Sequence, residues 1–296
     1  VPPEPRHTLS YLRNLFEERG IRTKNKLGQN FLIDLNLLDL LLRAAELTQD
    51  DLVLEVGSGT GSLTVRLTEL AGVVVSVEID PDFARLTDEA VTRRDRVLLL
   101  QADVLRNKNE INPLVLESVR KLQERTGAKR VKLVANLPYA VATPVVTNLL
   151  LSDLTVERMV VTVQWEIAER LTASPGVKDY AALAVLVQSL ADVELVRRLP
   201  PSVFFPRPQV DSAIVLIRPS AAKRAHVGDV MRFRNFLRDL YVHRRKNLRG
   251  ALVSLPHADF SKEDVDAKLA ELGIDGTTRA EALDLEHHLC LCRAFG

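Results

Sequence analysis

Leu52-Val53-Leu54-Glu55-Val56-Gly57-Ser58-Gly59-Thr60-Gly61 is the stretch that decides the fold. Its first five residues are a short, almost wholly apolar run of the kind that forms a buried strand. Glycines at alternate positions then permit a tight turn and close approach of backbone to a ligand. Leu63, Leu67 and Leu70 follow at helical spacing. Strand, glycine turn and helix in this order open a nucleotide-type α/β unit. Downstream, Val73 to Ile79 reads as a second strand, with Glu78 near its end and Asp80 just past it. An acid about 20 residues past the glycine turn can take both hydroxyls of a ribose. A third strand, Val97 to Leu100, leads to Asp103, which is placed to accept from an adenine amino group. To this point S-adenosylmethionine and a dinucleotide fit equally well.

A fourth apolar run, Val131 to Ala135, is broken only by Lys132 and ends in Asn136-Leu137-Pro138-Tyr139. In an open α/β sheet the carboxyl edge of the strands is where ligands bind. An amide and an aromatic ring there suit methylation of an amino group on a planar base. The exocyclic nitrogen of adenine is a poor nucleophile because its lone pair is delocalised into the ring. The Asn136 oxygen and a backbone carbonyl beside Pro138 can accept its two hydrogens and draw that lone pair out of conjugation. Tyr139 can stack on the base, and Pro138 stiffens the turn. This edge favours the methyl donor over the dinucleotide. No general base is needed, because the amine sheds its proton once methylated.

Strands and helices alternate from Leu52 to Ala173, which predicts a parallel sheet with helices on both faces. Ser10 is expected to cap a first helix ending at Gly20, and Asp34 to cap the next. The β-rich runs Val193 to Arg197 and Val210 to Ile217 are expected to close the sheet as an antiparallel edge. Pro219 to Gly228 reads as a linker. Val230 to Tyr241, Arg245 to Val253, Lys262 to Leu272 and Ala280 to Arg293 read as helices. The expected organisation is therefore a catalytic domain over 1–219 and a small all-α domain over 220–296.

Composition narrows the class. At 296 residues and 46% apolar content the chain suits one large and one small domain. No apolar run approaches the roughly 18 residues that span a bilayer, so no membrane partner is expected. The opening Val-Pro-Pro-Glu-Pro-Arg lacks the apolar core of a secretory signal. It also lacks an initiator Met, so processing or trimming is expected. Cys290 and Cys292 read as free thiols of a reducing compartment, and the expected location is cytoplasmic. The six histidines give no ligand cluster, so no metal site is expected. Net charge is only +1, yet Arg218 to Arg249 holds ten Lys or Arg against two acids, with Phe233, Phe236 and Tyr241 interleaved. Residues 1 to 30 hold six basic and three acidic residues. Such stripes are the footprint of a phosphate backbone, while the helical spacing of the aromatics points to the core.

Together these motifs resemble the ribosomal RNA adenine dimethyltransferase family, of the KsgA type that acts on small-subunit RNA. Lys26-Leu27-Gly28-Gln29-Asn30-Phe31-Leu32 looks like its opening motif and Glu55 to Gly61 like its donor loop. Gln164 and Glu166 fall where the family has a Gln-Lys-Glu step. Pro200-Pro201-Ser202-Val203-Phe204, with Pro206, Pro208 and Val210-Asp211-Ser212, is similar to its late aromatic loop. Arg244-Arg245-Lys246, Leu272-Gly273-Ile274-Asp275 and Arg279-Ala280-Glu281 resemble its C-terminal domain. Ala140, Ala142, Trp165 and a long connection over 105–130 depart from the pattern.

The resemblance implies a Rossmann-like, S-adenosyl-L-methionine-dependent methyltransferase domain with a mainly parallel sheet, and a helical RNA-binding domain. It implies N6-dimethylation of adenines in small-subunit ribosomal RNA or the immature small subunit, by a monomer. The expected catalytic residues are Asn136, Leu137, Pro138, Tyr139 and Phe204, the last as a second stacking face or a plain core residue. The expected donor site is Asn30, Leu32, Glu55, Gly57, Gly59, Glu78, Ile79, Asp103, Val104 and Asn136; Asn30 and Leu32 rest on the resemblance alone. Glu55 either orients the donor loop or the methionine amino group, or simply satisfies backbone amides. Arg22, Lys24, Lys26, Arg244, Arg245, Lys246 and Arg249 are the expected RNA contacts. Arg245 and Arg249, four apart, are expected on one helix face. Three alternatives stay open: a ribosome-assembly factor, a large-subunit adenine methyltransferase of the antibiotic-resistance type, and an NAD-dependent dehydrogenase.

Overall fold

A computed structural model describes residues 9–24, 27–256 and 260–296. Seven strands form one sheet: β1 (Asp51–Val56), β2 (Val73–Glu78), β3 (Val97–Gln101), β4 (Arg130–Asn136), β5 (Val156–Gln164), β6 (Ala191–Leu199) and β7 (Ser212–Pro219). Their spatial order is 3-2-1-4-5-7-6. β1 pairs in parallel with β2 and β4, and so do β2 with β3 and β4 with β5. β7 runs antiparallel to β5, with Ser212 opposite Gln164. The order reverses direction between β1 and β4, and such a switch point leaves a crevice at the carboxyl edge. The glycine turn and Asn136 are the ends of these two strands.

Helices α1 (Leu9–Glu18), α2 (Leu35–Ala45), α3 (Ser62–Leu70), α4 (Pro81–Ala90), α5 (Pro113–Thr126) and α6 (Tyr139–Leu151) flank the sheet. One sheet face, through Val53, Val74, Val134, Val160 and Ile214, packs on Leu38, Leu41, Leu42 and Ala45 of α2 and Leu63 and Leu67 of α3. The alternate residues Leu54, Val75 and Leu133 are equally buried. Both faces are therefore covered, and the strands read as continuous apolar runs rather than alternating ones. Asp34 caps α2, its side chain accepting from the Asn36 and Leu37 amides. Ser10 lies inside α1, not at its cap. The connection over 105–130 is filled by a small hairpin, Leu105–Asn107 with Glu110–Ile111, and by α5.

Lys132, the break in the fourth apolar run, is 2% exposed. Its ammonium donates to the carbonyls of Ala45 (3.2 Å) and Glu46 (2.7 Å) and pairs with Asp51 at 3.1 Å. It thus satisfies the end of α2 and offsets a buried carboxylate, which Arg130 also holds at 2.6 Å. Burial raises the Asp51 carboxyl, but the Thr48 amide, Arg130 and Lys132 outweigh it and hold it below the usual range.

The chain divides into two compact units: Val1–Ala168 with Glu194–Arg218, and Glu169–Val193 with Pro219–Gly296. The division does not follow a single cut at 219/220, because Glu169–Val193 groups with the later residues. That segment carries the second half of α7 (Trp165–Thr172) and all of α8 (Ala182–Gln188). Residues 219–228 are not a linker. Ser220 caps α9 (Ala221–Val227), and Lys223 reaches the carbonyls of Gln188 (3.1 Å) and Ala191 (2.9 Å) and the Asp192 carboxylate (2.8 Å). No residue of α9 is buried, so its sequence carries no helical apolar stripe. The remaining helices are α10 (Val230–Val242), α11 (Leu248–Leu252), α12 (Lys262–Glu271) and α13 (Leu285–Phe295). α11 begins after Lys246, so Arg245 lies in the preceding turn and does not share a helix face with Arg249. Among the described residues no helix is long and apolar enough to cross a membrane.

His288 of α13 is fully buried in the second unit. Its Nδ1 donates to the Asp284 carbonyl at 2.7 Å, so Nε2 accepts from the Tyr241 hydroxyl at 3.1 Å. Tyr180 meets the ring edge-on at 6.2 Å between centroids. Burial pushes His288 down from 6.5 to about 4. Between those values the unfolded chain takes up a proton that the folded one refuses. Stability is therefore complete above about pH 6.5 and falls as the pH drops toward 4, by about 3 kcal/mol from this group. Denaturant titrations of the wild type and His288→Gln at pH 7 and pH 4.5 check this. The wild type should lose more stability on acidification than the variant by about 2 kcal/mol or more. Equal losses would show that His288 does not titrate in this window.

Candidate active site

A cavity opens at the switch point, lined by the glycine turn, the end of β2, the turn after β3, the end of β4, and residues 27–31. Its backbone leaves no room for side chains at two places. A Cβ on Gly57, at φ 78°, would lie 2.9 Å from the Pro138 ring. One on Gly59, at φ 57°, would lie 2.6 Å from the Phe31 ring. The turn after β1 is thus clamped between the Asn-Leu-Pro-Tyr segment and Phe31. Phe31 in turn belongs to a cluster of rings with Phe16, Phe83 and Phe205, at 4.9–5.9 Å between centroids.

Of the expected donor-site residues, Asn30, Gly57, Gly59, Glu78, Ile79, Asp103, Val104 and Asn136 line this cavity. Glu78 is 8% exposed. One of its oxygens accepts from Gly59 N at 2.9 Å and the other from Asp80 N at 2.9 Å. A carboxylate has about four acceptor directions, so both oxygens keep one for a diol. Burial pushes the Glu78 carboxyl up, while the Asp80 and Gly59 amides oppose the shift. Asp103 accepts from Leu105 N at 2.9 Å through one oxygen. Ile79 is 44% exposed, an apolar side chain that a planar ring can cover. A buried diol acceptor, an exposed apolar wall and a turn that excludes Cβ atoms fit the adenosine part of S-adenosylmethionine.

Two expected donor residues fall elsewhere. Leu32 packs in the core beside α2, because its strand partner is Phe204 and both face inward. Glu55 is 1% exposed and accepts from Thr64 Oγ1 and Ser76 Oγ, each at 2.6 Å. Burial pushes it up to about 7. It ties β1, α3 and β2 beneath the turn and does not line the cavity.

Asn136 is held at both ends of its amide. Nδ2 donates to the Asn30 carbonyl at 2.7 Å, and Thr162 Oγ1 donates to Oδ1. The carbonyl of Asn30 can only accept, so it fixes which end of the amide is nitrogen. Thr162 is the register partner of Asn136 on β5. Oδ1 keeps its second lone pair. Pro138 lines the cavity, and its own carbonyl accepts from Val141 N at 3.0 Å. Leu137 is 1% exposed and packs beneath the cavity without lining it. Tyr139 lies outside the cavity lining. Its ring is half-buried and tethered by a hydrogen bond between its hydroxyl and Ser212 Oγ at 2.6 Å. Phe204 is 3% exposed and packs in the core cluster with Leu32.

The sequence reading missed Thr162 and Ser212, which position Asn136 and Tyr139. The available signal was one hydroxyl residue in each of two apolar strands. It also passed over Gly28 as a site residue. Gly28 lines the cavity at φ 63°, where a Cβ would meet the Tyr139 amide at 3.1 Å.

The expected RNA contacts divide similarly. Arg22 is exposed, and Lys26 lies outside the described residues. Lys24 is engaged by Asp80 at 2.9 Å. In the second unit a basic cleft is lined by Lys178, His243, Arg244, Arg245, Lys246, Arg279 and Glu281. Arg244 is paired with Glu281 at 3.0 Å and donates to the Lys178 carbonyl. Arg249 is paired with Asp266 at 2.5 Å and does not line the cleft.

The strand order and this edge define a Rossmann-like methyltransferase of the S-adenosylmethionine-dependent class. The chain belongs to the ribosomal RNA adenine dimethylase family, whose profile matches residues 20–292. It is 37% identical over 284 residues to ribosomal RNA small subunit methyltransferase A of Lachnoclostridium phytofermentans, covering 96% of this chain and 93% of that one. It is 39% identical over 276 residues to the protein of that name from Pediococcus pentosaceus, covering 92% and 89%. Among solved structures it resembles a dimethyladenosine transferase from Plasmodium falciparum, with TM-score 0.69, 24% identity and coverage of 87% and 94%. It also resembles the 23S rRNA methyltransferase ErmE, with TM-score 0.63, 26% identity and coverage of 90% and 99%.

Proposed function

We propose that this chain transfers methyl groups from S-adenosylmethionine to the N6 amino group of adenines in small-subunit ribosomal RNA, two on each, as a monomer in the cytoplasm. The observation that carries the reading is the Asn136 amide, fixed at the carboxyl end of β4 with one oxygen lone pair free over the cavity. When bound, S-adenosylmethionine supplies an electrophilic methyl group. Glu78 holds its ribose and Asp103 its adenine amino group, while Gly57 and Gly59 let the backbone come close.

The chain's own residues make the target amine nucleophilic. Asn136 Oδ1 accepts one N6 hydrogen. A backbone carbonyl of the Leu137-Pro138 segment accepts the other. With both hydrogens held, the nitrogen lone pair leaves the ring's conjugation. Tyr139, tethered by Ser212, stacks on the base and fixes its plane. The methylated amine loses its proton to solvent, so no side chain acts as base. In the second unit the cleft around Arg245, Lys246, Lys178 and Arg279 holds RNA phosphates.

Incubating the purified chain with small- and large-subunit RNA, followed by mass mapping of digests, tests this function. Dimethylated adenine in the small-subunit RNA is expected. Methylation of large-subunit RNA alone would favour the second type, and no methylation of either would leave a binding role.

Donor binding has its own test. Glu78→Ala should weaken S-adenosylmethionine binding by at least about tenfold. Two charge-assisted hydrogen bonds are lost, at roughly 1.5–3 kcal/mol each before water compensates, and the Gly59 amide is released as well. Titration calorimetry checks it. Unchanged affinity in a folded variant would remove Glu78 from the site.

A further inference from the structure

Trp165 stands where the family motif has Lys, at the sheet edge that carries the Tyr139–Ser212 hydrogen bond. It follows Gln164, the last residue of β5, and its amide donates to the Asp211 carbonyl at 2.9 Å. The next residue, Ser212, lies opposite Gln164 and holds the Tyr139 hydroxyl at 2.6 Å. Consecutive residues of one segment therefore anchor Tyr139 and Trp165 at the same sheet edge.

The indole is only partly buried. The Arg198 guanidinium lies over it, 4.3 Å from the ring centroid. Arg198 is held there by Asp211, whose Oδ2 accepts from Nε at 2.7 Å and from a terminal nitrogen at 2.6 Å. Its charge is matched by that carboxylate, so the stack is a weak phosphate site. What it presents is a flat, stiffened aromatic surface beside a base-binding edge. Bases of any identity stack on such surfaces.

We propose that Trp165, backed by Arg198, is the platform on which a nucleobase flanking the target adenine stacks, so that it sets RNA register where a Lys would only contact phosphate. This rests on the RNA reading above, and the test separates the two. Trp165 is the single tryptophan of the chain, so intrinsic emission reports on it alone.

The full chain is titrated with a short end-labelled single-stranded RNA containing adjacent adenines. RNA anisotropy and Trp emission are followed together. Emission should be quenched with the same midpoint as the anisotropy change. An abasic site next to the target adenine should remove the quench. In the methylation assay Trp165→Ala should raise KM for RNA roughly 5- to 100-fold, as expected for one lost stack. Trp165→Phe should recover most of that loss, while donor affinity and thermal midpoint stay unchanged. An anisotropy change with unaltered emission would overturn the platform and leave the RNA reading intact. So would an unchanged KM in Trp165→Ala. No anisotropy change at all would overturn both.

Discussion

Asn136→Ala is expected to lower methyl transfer by about 10²–10³-fold while RNA affinity stays close to that of the wild type. The size follows from removing one preorganised acceptor aimed at charge that develops only as the amine attacks. In the folded chain the Asn136 amide is hydrogen-bonded to Asn30 and Thr162. Phosphate contacts dominate affinity, and the proposed ones lie elsewhere. Single-turnover rates at saturating donor, set beside RNA binding under the same salt, check the split. If binding and turnover fall together, Asn136 is a structural residue and the proposed acceptor role is wrong.

The second large effect concerns salt. Changing Lys178, Arg245, Lys246 and Arg279 together to Gln should flatten the slope of log affinity against log salt by about three, at roughly 0.7–0.9 per phosphate contact. These four line one cleft. Arg244 and Arg249 are set aside because Glu281 and Asp266 already engage them. The loss should be uniform across RNA sequences, as for backbone contacts, and donor affinity should not move. Equal slopes for wild type and variant would mean that this cleft faces solvent during binding. Arg22 and its neighbours would then become the place to look.

Much of this was legible in the sequence, for a physical reason. Strands buried on both faces must be apolar throughout, so β1, β2 and β4 announce themselves. A turn that excludes Cβ atoms must be glycine, so Gly57 and Gly59 do too. What escaped was set by contacts distant in sequence. Lys132 reads as a break in a strand until Asp51 and the end of α2 come to meet it. Phe204 stays open between a stacking ring and a core residue, because nothing local says that its strand turns it inward against Leu32. α9 reads as a linker because its anchor, Lys223, finds its partners on the chain near Ala191. The second unit could not be delimited by composition at all, since part of it lies before the last two strands of the sheet.

That interruption has a consequence during synthesis. The ribosome extends a chain at about 5–20 residues per second. Glu169–Val193 therefore emerges on the order of ten seconds before α13 is complete. Ala184, Val185 and Val187 of α8, all fully buried in the finished unit, lack α10 for the first part of that interval and α13 throughout it. Tyr180 waits as long for His288. The newborn chain thus carries an adhesive apolar stretch that α10 and then α13 come to close.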